Sequence, residues 1–162
     1  MWDQYMKEVF LVLFGFMLGQ FPAWLDRKRR LKTHWSVIRA EMELCREKAS
    51  ALLNDAIQSP LYRLPLSAYG ESFPVLLSEG ALSEAESLTI GRFFCQIQDI
   101  NRGLDNAAEM LHSNNINGLS REYSRNLLKA KSLVESSQGE ESLYAETRKI
   151  VDAKIAKSWW CY

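Results

Sequence analysis

VFLVLFGFMLGQFPAWL, residues 9–25, carries no charge, and directly after it come Asp26 and the basic cluster Arg27, Lys28, Arg29, Arg30 and Lys32. As one helix those residues are about 26 Å long, at the short end of what crosses a bilayer, and flanking Lys or Arg marks the cytosolic side. A cleavable secretory signal has the reverse order, with positive charge before the apolar run and small residues after it. Here only Lys7 precedes the run, offset by Asp3 and Glu8, and no small-x-small pattern separates Leu25 from the basic residues. The expectation is an uncleaved, single-pass transmembrane anchor over residues 1–30, N-terminus outside, with residues 31–162 as a cytosolic domain, most plausibly at a bacterial inner membrane. Trp2 and Tyr5 on one side and Trp24 on the other occupy positions where amphipathic rings favour the headgroup region. Membrane lipid is therefore an expected partner, with Arg27 to Lys32 drawn to anionic headgroups.

Within the run, Gly15 and Gly19 form a Gly-x-x-x-Gly pair on one helix face, a spacing that lets a second helix approach closely. Gln20 and Pro22 lie toward the cytosolic end, where polarity and a missing backbone donor are easier to accommodate than at the midplane.

The zero formal net charge hides an asymmetry: residues 1–32 hold six basic and three acidic side chains, the rest fourteen and seventeen. No basic cluster follows Lys32, so nucleic acid is not an expected partner. The roughly 130 residues after the anchor suffice for one compact domain. Cys45, Cys95 and Cys161 are odd in number, with no Cys-x-x-Cys pair. Cys45 and Cys95 fall in apolar helical patterns and read as small core residues.

Beyond the anchor the periodicity is helical. Leu31, Trp35, Ile38, Met42, Cys45, Ala49, Leu52 and Ala56 alternate spacings of four and three, a heptad seam on a helix continuous with the apolar run. Arg39, Glu41, Glu43, Arg46, Glu47 and Lys48 read as its solvated faces, with Arg39 and Glu43 spaced to pair. Ser59-Pro60 is a stop signal. Residues 60–80, with Pro65, Gly70 and Pro74, read as short helical turns packed on the core. Ser83 and Glu86 form a capping box. The helix they open carries Ile90, Phe93, Ile97, Ile100, Leu104, Ala107 and Leu111 on one face and ends in Ser113-Asn114-Asn115. Amphipathic stretches from Leu119 to Val134 and from about Glu140 to Trp159 complete an all-α bundle of four to five helices, without strand pattern or internal repeat. The two long helices are expected to pair antiparallel within the chain; an intermolecular coiled coil is the alternative use of the first seam.

The chemical motifs are mostly missing: no phosphate loop, dinucleotide turn or His-Glu-x-x-His helix occurs. Gly70-Glu71-Ser72-Phe73-Pro74 lacks the last glycine of a nucleophile elbow. Glu109 and His112 match half of a carboxylate-bridged dimetal motif whose second half is missing, and read as surface residues. His34, beside the basic cluster, reads as an interfacial ring. Arg63 in the 60s loop, with Asp99, Asn101, Arg102 and Asp105 on the capped helix, is a candidate polar groove, set against the simpler use of pinning the loop by salt bridges. Trp159, Trp160 and Tyr162 form an aromatic chain end suited to docking on the bundle, to the bilayer surface or to a partner. No catalytic residue, cofactor or metal is expected, and a hydrolase or transferase would need a convergent polar pocket. The expected function is a membrane-anchored scaffold, adaptor or regulatory subunit working through protein contacts or self-association. The alternative is a membrane-acting effector that oligomerises through Gly15 and Gly19.

Overall fold

The computed structural model describes residues 2–54, 62–136 and 141–159, with the side chains of 2–5, 158 and 159 left aside. Five helices follow in order: α1 Trp2–Leu53, α2 Ser67–Ser78, α3 Glu84–His112, α4 Ile116–Val134 and α5 Leu143–Trp159. Among the described residues there is no strand, so the fold is all-α: a long apolar N-terminal helix that continues into a helical bundle.

The heptad seam does what its spacing implies. Trp35, Ile38, Met42, Cys45, Ala49 and Leu52 are all buried in one core with Ile90, Phe93, Phe94, Ile97, Ile100 and Leu104 of α3. The seam of α1 is thus filled within the chain. Leu31 packs at its edge, and Ala56 lies outside the described residues, as do Ser59 and Pro60.

The helix directions correct one expectation. Contacts between α1 and the α2 segment pair Cys45 with Pro65, Glu41 with Ala68, His34 with Ser72 and Arg27 with Glu79, so α2 runs antiparallel to α1. Between α2 and α3, Leu64 meets Asn101 and Tyr69 meets Phe94, again antiparallel. It follows that α1 and α3 run in the same direction and are not an antiparallel pair. The closest backbone packing of α1 is with α2, α4 and α5, and that of α3 is with α4 and α5. Gln96 meets Lys129 and Ser132, and Glu43 and Arg39 meet Arg148 and Asp152, so α4 and α5 both run opposite to the two long helices. The physical reason is connection length: α2 is a full twelve-residue helix, long enough to carry the chain back so that α3 can start beside the point where α1 enters the bundle. Pro74 lies inside α2; the carbonyl four residues earlier belongs to Gly70, where an added Cβ would meet nothing within 4 Å.

Both helix stops and starts follow from backbone chemistry. The predicted capping box at α3 is present, with the Ser83 hydroxyl accepting from the Glu86 N–H and Glu86 accepting from the Ser83 N–H. α2 ends in a Schellman turn: Gly80 takes φ +64°, its N–H donates to Leu77 O, and the Ala81 N–H donates to Leu76 O. α3 ends the same way with Asn114 at φ 59°, its N–H bound to Leu111 O and that of Asn115 to Met110 O. The Asn115 side chain then caps α4 by accepting from the Gly118 N–H at 3.0 Å, so two adjacent asparagines stop one helix and start the next.

α3 and α4 approach closely where Gly103 faces Asn126: a Cβ at Gly103 would overlap the Asn126 carboxamide. Asn126 is fully buried there, with no hydrogen-bond partner for either end of its amide. Three further expectations change. Cys95 is exposed rather than in the core, since it lies off the Ile90–Phe93–Ile97 line of α3. Leu111 is half exposed, because it lies on the last turn before the Schellman stop. Arg39 pairs with Asp152 at 3.2 Å rather than with Glu43, which is taken by Arg46 and Arg148.

Candidate functional site: the apolar arm and its junction with the bundle

Before it enters the bundle, α1 is a free-standing arm. Its apolar stretch is long and apolar enough to cross a membrane, and none of it is buried. Phe10, Val12, Phe16 and Met17 are each about two-thirds exposed, a large apolar surface with no cover from the chain itself. At the junction, Lys28 Nζ sits 3.8 Å from the centre of the Trp24 ring, and Trp24 also stacks on Phe21. Trp2 and Tyr5 are on the first turns of α1, and their side chains lie outside those described. No Cβ neighbour lies within 4 Å of Gly15 or Gly19, so that face is open.

The arm is locked to the bundle by a polar stripe absent from the sequence reading. Arg27, His34, Glu41 and Lys48 recur every seven residues on α1, and all four reach the segment from Tyr62 to Glu79. Arg27 pairs with the Glu79 carboxylate at 2.7 Å and donates to its carbonyl at 3.2 Å. His34 Nδ1 and Ser72 Oγ are 3.1 Å apart. Glu41, buried, accepts from the Ala68 N–H at 2.8 Å. Because the N-cap residue of α2 is Leu66, which offers no side-chain cap, Glu41 supplies the missing acceptor and a negative charge at that helix's positive end. Lys48 donates to the Arg63 carbonyl at 3.2 Å and covers the Tyr62 ring. Beside them the Cys45 thiol donates to Pro65 O at 3.4 Å; burial, aided by the nearby Glu41 charge, pushes it up to about 12, which leaves it inert. The missed signal was the seven-residue recurrence of polar residues next to an apolar seam, which marks a line of contacts to a neighbouring helix, buried at Glu41 and partly exposed at the other three positions. His34 therefore makes an internal contact with α2.

The candidate polar groove divides. Asn101 holds the loop backbone from both sides, accepting from the Leu64 N–H at 2.8 Å and donating to the Leu64 carbonyl at 2.9 Å. Arg63 pairs with Asp105 alongside. These three residues pin the loop to α3. Asp99 and Arg102 form a separate, loose i,i+3 pair at 3.8 Å on an exposed face. Asp99 lines a shallow, open groove of about 390 Å³ with Arg92, Cys95, Gln96, Lys129 and Leu143, where Lys129 donates to the Asp99 carbonyl. No group of three or more metal-ligating side chains occurs among the described residues, and Glu109 and His112 are exposed. Trp159 ends α5 with its side chain outside those described, and Trp160, Cys161 and Tyr162 lie outside the described residues.

Besides its apolar contacts through Tyr144 and Val151 and the Arg39–Asp152 pair, α5 is held by two carboxylates of the neighbouring helices. Glu43 accepts from Arg148 at 2.9 Å, and Glu86 pairs with Lys154 at 2.7 Å. Partial burial opposes ionisation of each. For Glu43 this is outweighed by the Tyr144 hydroxyl with Arg148 and Arg46, and for Glu86 by Lys154 with the Ser83 N–H and hydroxyl, so both carboxyls sit below their ordinary 4.5. A carboxyl depressed on folding contributes stability that is complete above the unfolded value and disappears as pH falls through the folded one. The attachment of α5 is therefore expected to hold at neutral pH and weaken below about 4.5, ahead of the remaining core; amide hydrogen exchange resolved by peptide should show α5 exchanging first as pH is lowered. Uniform exchange across all helices would contradict this.

The chain matches no family model, no curated protein and no solved structure.

Proposed function

We propose that this chain is a single-pass membrane protein whose arm anchors a cytosolic helical bundle, and that the bundle works through protein contacts as a scaffold, adaptor or regulatory subunit. One observation carries the reading: an uncovered apolar arm passes without a break, through a basic collar, into the core helix of the bundle. Such a surface is costly to leave in water and inserts readily into a bilayer, with Arg27 to Lys32 retained on the cytosolic side. The polar stripe makes the anchor and the bundle one mechanical unit, as suits a protein that holds a partner at a fixed height above the membrane.

Two assays separate this from the effector alternative. Crosslinking in native membranes, followed by purification of the full chain, should yield a stoichiometric partner bound to the bundle. The purified chain added to dye-loaded phospholipid vesicles should leave them sealed. Leakage that disappears in a Gly15→Ile, Gly19→Ile variant would overturn the scaffold reading and favour the effector.

A further inference from the structure

The direction and register of α5 fix the level at which it ends. Arg39 meets Asp152 and Glu43 meets Arg148, a step of four residues on each helix in opposite directions. Trp159 is seven residues on from Asp152, and Lys32 is seven residues before Arg39, so in this register α5 ends level with the basic collar. Ile155, packed on the core, falls level with Ser36, beside the buried Trp35. On another side of α1, α2 comes down to the same level, since Arg27 meets Glu79, and there leaves Leu77 45% exposed. The core itself stops short of this level. Among the described residues of α1, Trp35 is the first that is buried, and Leu31 only packs at the core's edge. An aromatic run that leaves α5 here has left the apolar interior behind.

We propose that the run Trp159-Trp160-Cys161-Tyr162 is a second membrane contact, seated in the headgroup layer of an anionic phospholipid bilayer. The inference rests on the anchor reading and deepens it. With the arm along the bilayer normal and the hydrocarbon edge at Leu25, Lys32 stands about 10 Å above that edge. The headgroup layer occupies roughly the first 5–7 Å of this height. Three residues beyond Trp159 span up to about 10 Å, enough to bring the rings of Trp160 and Tyr162 into the layer. Tryptophan and tyrosine favour that depth, with the ring body toward the acyl chains and the N–H or O–H toward water. The charges agree. Arg29, Arg30 and Lys157 are exposed at this end of the bundle, Arg27 offsets Glu79, and Asp26 and Glu84 are the acids beside them. A basic face with an apolar fringe, made by Leu77 and the aromatic run, suits a surface of anionic lipid. The arm alone leaves the bundle free to tilt over the bilayer, and a second contact on α5 restrains it.

The test uses the full chain with Cys95→Ser and the buried Cys45 retained, reconstituted in vesicles of equal parts phosphatidylcholine and phosphatidylglycerol. A nitrobenzoxadiazole fluorophore is placed on Cys161, or, in chains that also carry Cys161→Ser, on Leu128→Cys or Leu13→Cys. Lys129 meets Asp99, Leu64 meets Asn101 and Cys45 meets Pro65, so Leu128 lies about 20 Å farther from the bilayer than the collar does. Leu13 lies within the apolar run. The quenchers are phospholipid with a nitroxide in the headgroup or at a shallow acyl carbon, and iodide in the water. The label on Cys161 is expected to emit to the blue of the Leu128 label and to be quenched several-fold more strongly by the nitroxide lipids. Changing Trp159, Trp160 and Tyr162 to Ser should return it to the Leu128 value. Quenching at Cys161 by iodide alone, protection from both quenchers as docking on the bundle would give, or lipid quenching that survives the serine changes would each overturn the second contact. With the Leu13 label quenched by lipid, the anchor stands in all three cases. A Leu13 label open to iodide and untouched by nitroxide lipid would overturn both.

Discussion

A Phe14→Arg, Met17→Arg chain is expected to leave the membrane fraction and remain folded. Each arginine near the centre of a spanning helix opposes insertion by about 2.5–3.5 kcal/mol on the biological scale, so the pair removes roughly 5–7 kcal/mol, several powers of ten in partition. The bundle should not notice. Phe14 and Met17 are 52% and 71% exposed on the free-standing arm, and the buried core begins at Trp35, about five turns beyond Met17. Fractionation of cells expressing the two chains reads the partition, and circular dichroism of the released protein reads the fold. Retention of the double variant in membranes would mean that the arm is not what holds the chain there.

The second large effect is expected at Phe94→Ala. Phe94 is fully buried, its ring edge-on to Phe93 with centroids 5.2 Å apart and tilted against Tyr69 at 5.1 Å, and Tyr69 in turn stacks on Phe73. Removing it opens a cavity where α2 meets α3, at a cost of about 3–5 kcal/mol. That is a large fraction of the stability of a domain this size. Urea unfolding of the detergent-solubilised chain, followed by helical ellipticity, should show the unfolding free energy fall by that amount and the midpoint move to lower urea. Tyr69→Phe keeps the ring and should cost far less. A loss below about 1 kcal/mol for Phe94→Ala would contradict the placement of α2 against α3.

The residues that fill the core were legible because spacing alone specifies a buried face. Trp35 through Leu52 and Ile90 through Ala107 are buried as their alternation of threes and fours requires. Local chemistry was legible too, in the Ser83–Glu86 box and the Asn114-Asn115 stop. What a face packs against was not. Heptad spacing says nothing about whether the facing helix runs up or down, and the parallel run of α1 and α3 depends on α2 being a full helix despite Pro74. Cys95 was misplaced because an apolar neighbourhood in sequence spreads over a whole turn, whereas burial is decided by a single direction.

Charged residues were read least well. Glu41 resembles any surface acid until Leu66 leaves the start of α2 without a cap. The ordinary salt-bridge use of Arg63 and Asp105 was foreseen as the simpler option, but the two-sided grip of Asn101 on Leu64 needs a loop position that no spacing rule supplies. Each of these contacts joins residues more than 25 apart in sequence, where local pattern carries no information.

The most direct test of the anchored, cytosolic bundle uses Cys95, which is exposed on α3 while Cys45 is buried. In a Cys161→Ser chain expressed in cells, a membrane-impermeant maleimide reports which side of the bilayer the bundle occupies, and alkaline carbonate extraction reports whether the arm is inserted. Resistance to carbonate, with Cys95 labelled only after the membrane is permeabilised, is the result predicted here. Labelling of Cys95 in intact cells, or release of the chain by carbonate, would contradict it.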